Sequence, residues 1–105
     1  MKKLLAKIAV VSLTLSLLGA PSYAAAKSIE LKLSHATPRS STWHQGAEKF
    51  VSIIKEKTSA KYDIKIYPSD ELSGGNQVAG IELLQTGVTD IHMQDALVWS
   101  AIAKK

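Results

Sequence analysis

His35, His44 and His92 are the only imidazoles among the 105 residues, and Asp90 stands two positions before His92. An Asp-x-His pair puts both side chains on one face of a strand, which is half of a zinc site. A dedicated site needs three or four converging ligands, and the chain has no cysteine, so histidines in structural or surface roles are the plainer reading. Acyl transfer needs a nucleophile, a base and an orienting group. Serines are plentiful, but none sits in a Gly-x-Ser-x-Gly elbow. No catalytic residue is assigned, and the chain reads as a non-enzyme. Gly74-Gly75-Asn76 ahead of a helix can offer backbone N–H groups to an anion, yet it lacks the Lys-Ser/Thr of a P-loop and the spacing of a dinucleotide fingerprint. A plain helix start accounts for it equally well, and neither a metal nor a cofactor follows.

A different constellation points to binding without chemistry. His35, Thr37, Arg39, Ser40, Ser41 and Thr42 crowd donors and hydroxyls into one short stretch, with Trp43 directly after it. Gln94 and Asp95 form a second polar stretch. The candidate ligand-binding residues are therefore His35, Thr37, Arg39, Ser40, Trp43, Gln94 and Asp95. The alternative is that they are solvated turn residues, with Trp43 a core or rim aromatic. The two stretches meet only if the elements before them lie side by side.

The patterning predicts that they do. Ile29, Leu31 and Leu33 alternate with Glu30 and Lys32, the period of a half-buried strand. Pro38 interrupts regular structure. Trp43, Ala47, Phe50, Val51 and Ile54 then form the stripe of an amphipathic helix, capped by Thr42 or Ser41 and ending near Lys57 or Thr58. Tyr62, Ile64 and Ile66 alternate in a second strand that stops at Pro68. Ser69 to Asn76 reads as a loop, and Gln77 to Thr86 as a second helix closed by Gly87. Gly80 inside that helix costs about 1 kcal/mol relative to Ala, which points to close packing. Val88 to Met93 reads as a third strand, and Ala96 to Ala103 as a possible third helix. The order is β-α-β-α-β, an α/β fold with a mostly parallel sheet and helices on both faces. In such a sheet the loops after strands one and three share the carboxyl edge, where ligands bind.

The first 24 residues have a separate character. Lys2 and Lys3 precede an apolar run from Leu4 to Leu18, and Ser22-Tyr23-Ala24 supplies small residues for signal-peptidase cleavage after Ala24 or Ala26. The run is shorter than the roughly 20 residues of a membrane span. Setting aside Lys2, Lys3 and Lys7 reduces the 13 basic residues to 10 against 9 acidic ones, a net +1. The charge gives no warrant for nucleic-acid binding. Without cysteine there is neither a disulfide nor a site for N-terminal lipid attachment. Residues 25–105 then read as a soluble periplasmic chain with only a modest core, and the abrupt end at Lys104-Lys105 reads as a truncation.

The ordered series Ile29-Glu30-Leu31-Lys32-Leu33-Ser34-His35-Ala36, Ala47-Glu48-Lys49-Phe50, Glu56-Lys57-Thr58, Ile66-Tyr67-Pro68, Glu71-Leu72, Glu82-Leu83-Leu84-Gln85-Thr86-Gly87 and Thr89-Asp90-Ile91 resembles the DctP-like solute-binding proteins of TRAP tripartite transporters. The resemblance covers essentially all of residues 25–105. It implies the N-terminal part of domain I of a two-domain periplasmic binding protein of class II type, closing on a carboxylate-bearing solute such as a dicarboxylate, sugar acid or keto acid. It also implies delivery to a small and a large membrane subunit. In the family an arginine from the second domain clamps the solute carboxylate; Arg39, the one arginine of this chain, does not match its position. Asp95 and the stretch His35-Ala36-Thr37 fall where relatives contact solute. Two turns depart from the pattern: Thr58-Ser59-Ala60-Lys61 lacks the usual glycine, and Leu72-Ser73 replaces Leu-Gly. A complete small exported protein acting through protein–protein contact is the alternative.

Overall fold

The computed structural model describes residues 26–103; the expected leader, residues 1–24, lies outside them. Strand β1 spans Ile29–His35, helix α1 Thr42–Lys57, β2 Tyr62–Tyr67, a 3-10 turn Glu71–Ser73, α2 Gln77–Gln85, β3 Ile91–Met93 and α3 Ala96–Ser100. The three strands make one parallel sheet in the order β2-β1-β3. The α/β arrangement expected from the alternating periods is the one observed, with β1 in the centre.

The pairing register explains what each face buries. Leu31 pairs with Ile64, and Leu33 pairs with both Ile66 and Ile91. These odd-numbered β1 side chains share a face, as the strand period requires. There Leu33, Ala47 and Ile64 form the core, with Leu31, Val51, Ile54, Tyr62, Ile66, Ile91 and Met93 around them. The helical stripe differs from expectation at one end. His44 is buried at 5% exposure beside Ala47 at 0%, whereas Trp43 and Phe50 are 37% and 41% exposed. An imidazole hydrogen-bonded to His35 and facing the Glu48 carboxylate at 3.4 Å can occupy the inner position, and Trp43 and Phe50 lie beside residues of β3. Phe50 there lines an apolar groove of about 240 Å³ with Leu33, Ile91 and Met93.

The even-numbered side carries Ser34, paired with His92, under α2. Gly80 and Ile81 are the buried residues of α2. The close packing expected at Gly80 is present: an added Cβ would lie 3.1 Å from Asp70 Oδ1, 3.1 Å from His92 Cε1 and 3.4 Å from Ser73 Oγ.

Expected boundaries shift at β3 and α3, and one expected loop holds a short helical turn. The third strand begins at Ile91 rather than Val88, because the backbone N–H groups of Val88 and Thr89 both donate to Leu83 O and close α2. Gly87 makes that reversal at φ +79°, in the left-handed region that favours glycine. The third helix stops at Ser100 instead of Ala103. Within the expected loop, Glu71–Ser73 forms the 3-10 turn. At the turn between α1 and β2, Ser59 and Ala60 adopt φ values of +51° and +59°. The missing glycine is thus replaced by two residues that bear the left-handed conformation at a steric cost of about 1 kcal/mol each.

Candidate functional site

Parallel pairing puts the ends of β1 and β3 together, so the β1–α1 segment, the first turn of α1 and the β3–α3 junction meet at the carboxyl edge. They border an open cleft of about 460 Å³ lined by Trp43, Gly46, His92, Met93 and Gln94. Trp43 and Gln94 are thus brought together as the sequence predicts. The other candidates play different parts.

His35 is fully buried and holds α1 to the sheet: its Nε2 lies 2.9 Å from His44 Nδ1. Thr37 donates its backbone N–H to His35 Nδ1 at 3.3 Å. The Thr37 hydroxyl lies 2.7 Å from Ser41 Oγ and 3.2 Å from His35 Nδ1. Ser41 is the N-cap of α1; its hydroxyl donates to Pro38 O at 2.7 Å and accepts from His44 N at 3.1 Å. The choice between Ser41 and Thr42 as cap is therefore settled in favour of Ser41. Arg39 and Ser40 are exposed and outside the cleft lining. Asp95 is also exposed, with its carboxylate accepting Leu97 N at 2.6 Å as the cap of α3. Burial lowers the pKa of His35, with His44, His92 and Arg39 adding to the effect and Glu71 opposing it.

Gln94 brings an amide to the lining of the cleft. Its Oε1 accepts Asp95 N at 2.9 Å, which fixes the amide orientation. Its Nε2 is buried and has no partner among the described residues.

Beneath the cleft lies a pair that the motif reading missed. His92 was matched with Asp90, but Asp90 precedes the strand and bonds the backbone of Lys32 instead, accepting Lys32 N at 2.8 Å and donating its own N–H to Lys32 O at 3.0 Å. The carboxylate that faces His92 is Asp70, with Oδ1 at 4.0 Å from Nε2 and both side chains almost wholly buried. Neither carboxylate oxygen nor either ring nitrogen has a hydrogen-bond partner among the described residues. Burial raises the pKa of Asp70 and lowers that of His92; the attraction between them opposes both shifts and is the smaller effect. Desolvation penalises charge on either group. Asp70 is held at φ +47°, its N–H donates to His35 O at 2.9 Å, and the preceding Ser69 N–H donates to Thr37 O at 3.0 Å. Asp70 was hidden in a stretch that reads as loop; the signal that could have found it is Gly80, whose missing side chain implies a close neighbour. No three His, Cys, Asp or Glu side chains converge as metal ligands among the described residues.

The Gly74-Gly75 turn also finds its role within the chain. Asn76 Oδ1 accepts Ala79 N at 3.0 Å, so the N-terminus of α2 is capped by its own side chain. No described helix is long and apolar enough to cross a membrane.

The chain is similar to an uncharacterized protein of Haemophilus influenzae (strain ATCC 51907 / DSM 11121 / KW20 / Rd), with 27% identity over 77 residues. That alignment takes in 73% of this chain and 23% of the relative, so the chain spans less than a quarter of the relative's length. Residues 33–105 match the DctP family, described as bacterial extracellular solute-binding protein, family 7. The matched segment begins in β1 and takes in both walls of the cleft, and the chain belongs to the DctP family of extracellular solute-binding proteins.

Proposed function

We propose that the chain is part of the solute-capturing component of a TRAP transporter. It would be exported by the leader at residues 1–24, work in the periplasm, and contribute the N-terminal part of domain I. In this reading the cleft at the carboxyl edge is one wall of the solute site. Its guest is a small organic acid, handed on to the small and large membrane subunits after the domains close. Family membership supports the transport role, and the DctP family consists of binding proteins rather than enzymes.

The observation that carries the choice of guest is Gln94. A buried N–H donor with no partner is costly, and this one lies in the wall of an open cleft whose other lining includes Trp43 and Met93. A ligand oxygen satisfies it, and a carboxylate does so more strongly than a neutral carbonyl. Calorimetric titration of the protein expressed to its native stop codon, against dicarboxylates, sugar acids, keto acids and their amides, tests this. Saturable binding of an acid and not of its amide is expected. Gln94→Leu should weaken that binding about tenfold, in line with the loss of one hydrogen bond to a charged group, and leave the melting temperature within a few degrees. Binding of the amide as tightly as the acid, or an unchanged affinity in Gln94→Leu, would refute the reading.

A further inference from the structure

The contacts around His44 have a direction. A backbone N–H can only donate, so Thr37 N–H at 3.3 Å requires His35 Nδ1 to be an acceptor. A neutral imidazole with an accepting Nδ1 carries its proton on Nε2, which then donates to His44 Nδ1 at 2.9 Å. His44 in turn carries its proton on Nε2, which faces Glu48 Oε1 at 3.4 Å. Each step follows from the one before, starting at a group whose role cannot change. His35 and His44 are buried, while the Glu48 side chain is 62% exposed. The row runs from the β1–α1 segment to solvent along the first two turns of α1.

His44 lies between Trp43 and Gly46, the two α1 residues that line the cleft. We propose that Thr37, His35 and His44 form a one-way hydrogen-bond relay, with the Glu48 carboxylate facing its outer end, that positions the first turn of α1 against the cleft, with His44 as the positioning residue and proton uptake as the event that releases it.

The relay has no free acceptor nitrogen. A proton on His35 Nδ1 opposes the Thr37 backbone N–H and leaves only the Thr37 hydroxyl, at 3.2 Å, to accept it, and a proton on His44 Nδ1 opposes His35 Nε2–H. Reversing the tautomer of His35 to accept from a protonated His44 again directs an N–H at Thr37. The Thr37 backbone N–H must then turn away from the ring, and the hydroxyl contact to Ser41 that supports the cap of α1 shifts with it. The charged groups facing His35 are His44 and, across the relay, Glu48 on α1, His92 on β3, Arg39 in the β1–α1 segment and Glu71 in the 3-10 turn. Burial and the three basic neighbours keep His35 neutral below its ordinary range. Its contribution to stability is thus full above the unfolded value of 6.5 and lost as pH falls from there through the lowered folded value.

The functional consequence rests on the cleft being a solute wall, but the test needs no solute and can fail separately from that reading. The experiment is long-range nitrogen–proton correlation NMR on the labelled protein, expressed to its native stop codon and titrated from about pH 8 to pH 5, which spans the ordinary histidine range. His35 and His44 should both show the Nε2–H tautomer at the upper end. The amides of Thr37 and Ser41 should shift with one midpoint, below that of a free histidine. Both His44→Asn, whose Oδ1 can accept from His35 but cannot be protonated, and His44→Leu should keep the His35 Nε2–H tautomer that Thr37 imposes; only His44→Leu leaves that N–H without an acceptor and should shift the Thr37 and Ser41 amides at pH 8. An Nδ1–H tautomer at His35, or Thr37 and Ser41 amides that stay fixed while His35 titrates, overturns the relay.

Discussion

Gly80→Ala sets two quantifiable effects against each other. Alanine in place of glycine inside a helix is worth about 1 kcal/mol in favour of folding. Here the new Cβ would sit 3.1 Å from Asp70 Oδ1 and 3.1 Å from His92 Cε1, closer than carbon normally approaches either atom. The neighbours must retreat by a few tenths of an ångström, and both are restrained. Asp70 is pinned through its backbone to His35, and His92 lies edge-on to Trp99 with ring centroids 6.3 Å apart. Overpacking of this kind costs about 1–3 kcal/mol, so the net expectation is destabilisation by about 1 kcal/mol. Urea unfolding followed by the fluorescence of Trp43 and Trp99 measures it. Asp70→Gly removes one of the two contacts and tolerates the left-handed backbone at that position. In that background Gly80→Ala should become neutral or stabilising, a coupling of about 1–2 kcal/mol within the range for residues in contact. A single Gly80→Ala that is more stable than the wild type, or an equal effect in both backgrounds, would show that α2 does not press on the Asp70–His92 pair.

Two further predictions concern the same framework. Ala60→Gly relieves a left-handed alanine at φ +59°, and after allowance for the greater freedom of glycine in the unfolded chain the gain should be about 0.5–1 kcal/mol; a loss of stability on urea unfolding would contradict the strain. Burial raises the pKa of Asp70 against the opposing pull of His92, so its contribution to stability is full below the unfolded value of 3.8 and lost as pH rises through the raised folded value. Asn cannot ionise and suffers no such loss. The melting temperature of Asp70→Asn relative to the wild type should therefore rise between pH 4 and pH 8, and a flat or falling difference would refute the assignment.

The alternation of Ile29, Leu31 and Leu33, of Tyr62, Ile64 and Ile66, and the run from Ala47 to Ile54 were enough to specify a parallel α/β unit. Periods of 2 and 3.6 residues are local properties of the chain, and short helical connections leave few topologies open. The carboxyl edge followed from that topology, and with it the meeting of Trp43 and Gln94. Gly80 was legible as a packing contact because glycine within a helix is disfavoured unless something lies close. What stayed hidden depended on pairs distant in sequence. Periodicity ranks Trp43 above His44 as the buried residue, because it weighs hydrophobicity and cannot see that His35 would satisfy an inward imidazole. Spacing matched His92 with Asp90, two residues away, whereas the fold sets it against Asp70 across the sheet edge. The strand predicted from Val88 lost its first residues because Leu83 O claimed their N–H groups. Sequence determined the elements and the edge at which they converge, since each arises from contacts within a few residues. Which side chains line the cleft, which hold its wall and which are buried against one another were decided by the tertiary structure, because hydrogen-bond partners are assigned by proximity in space.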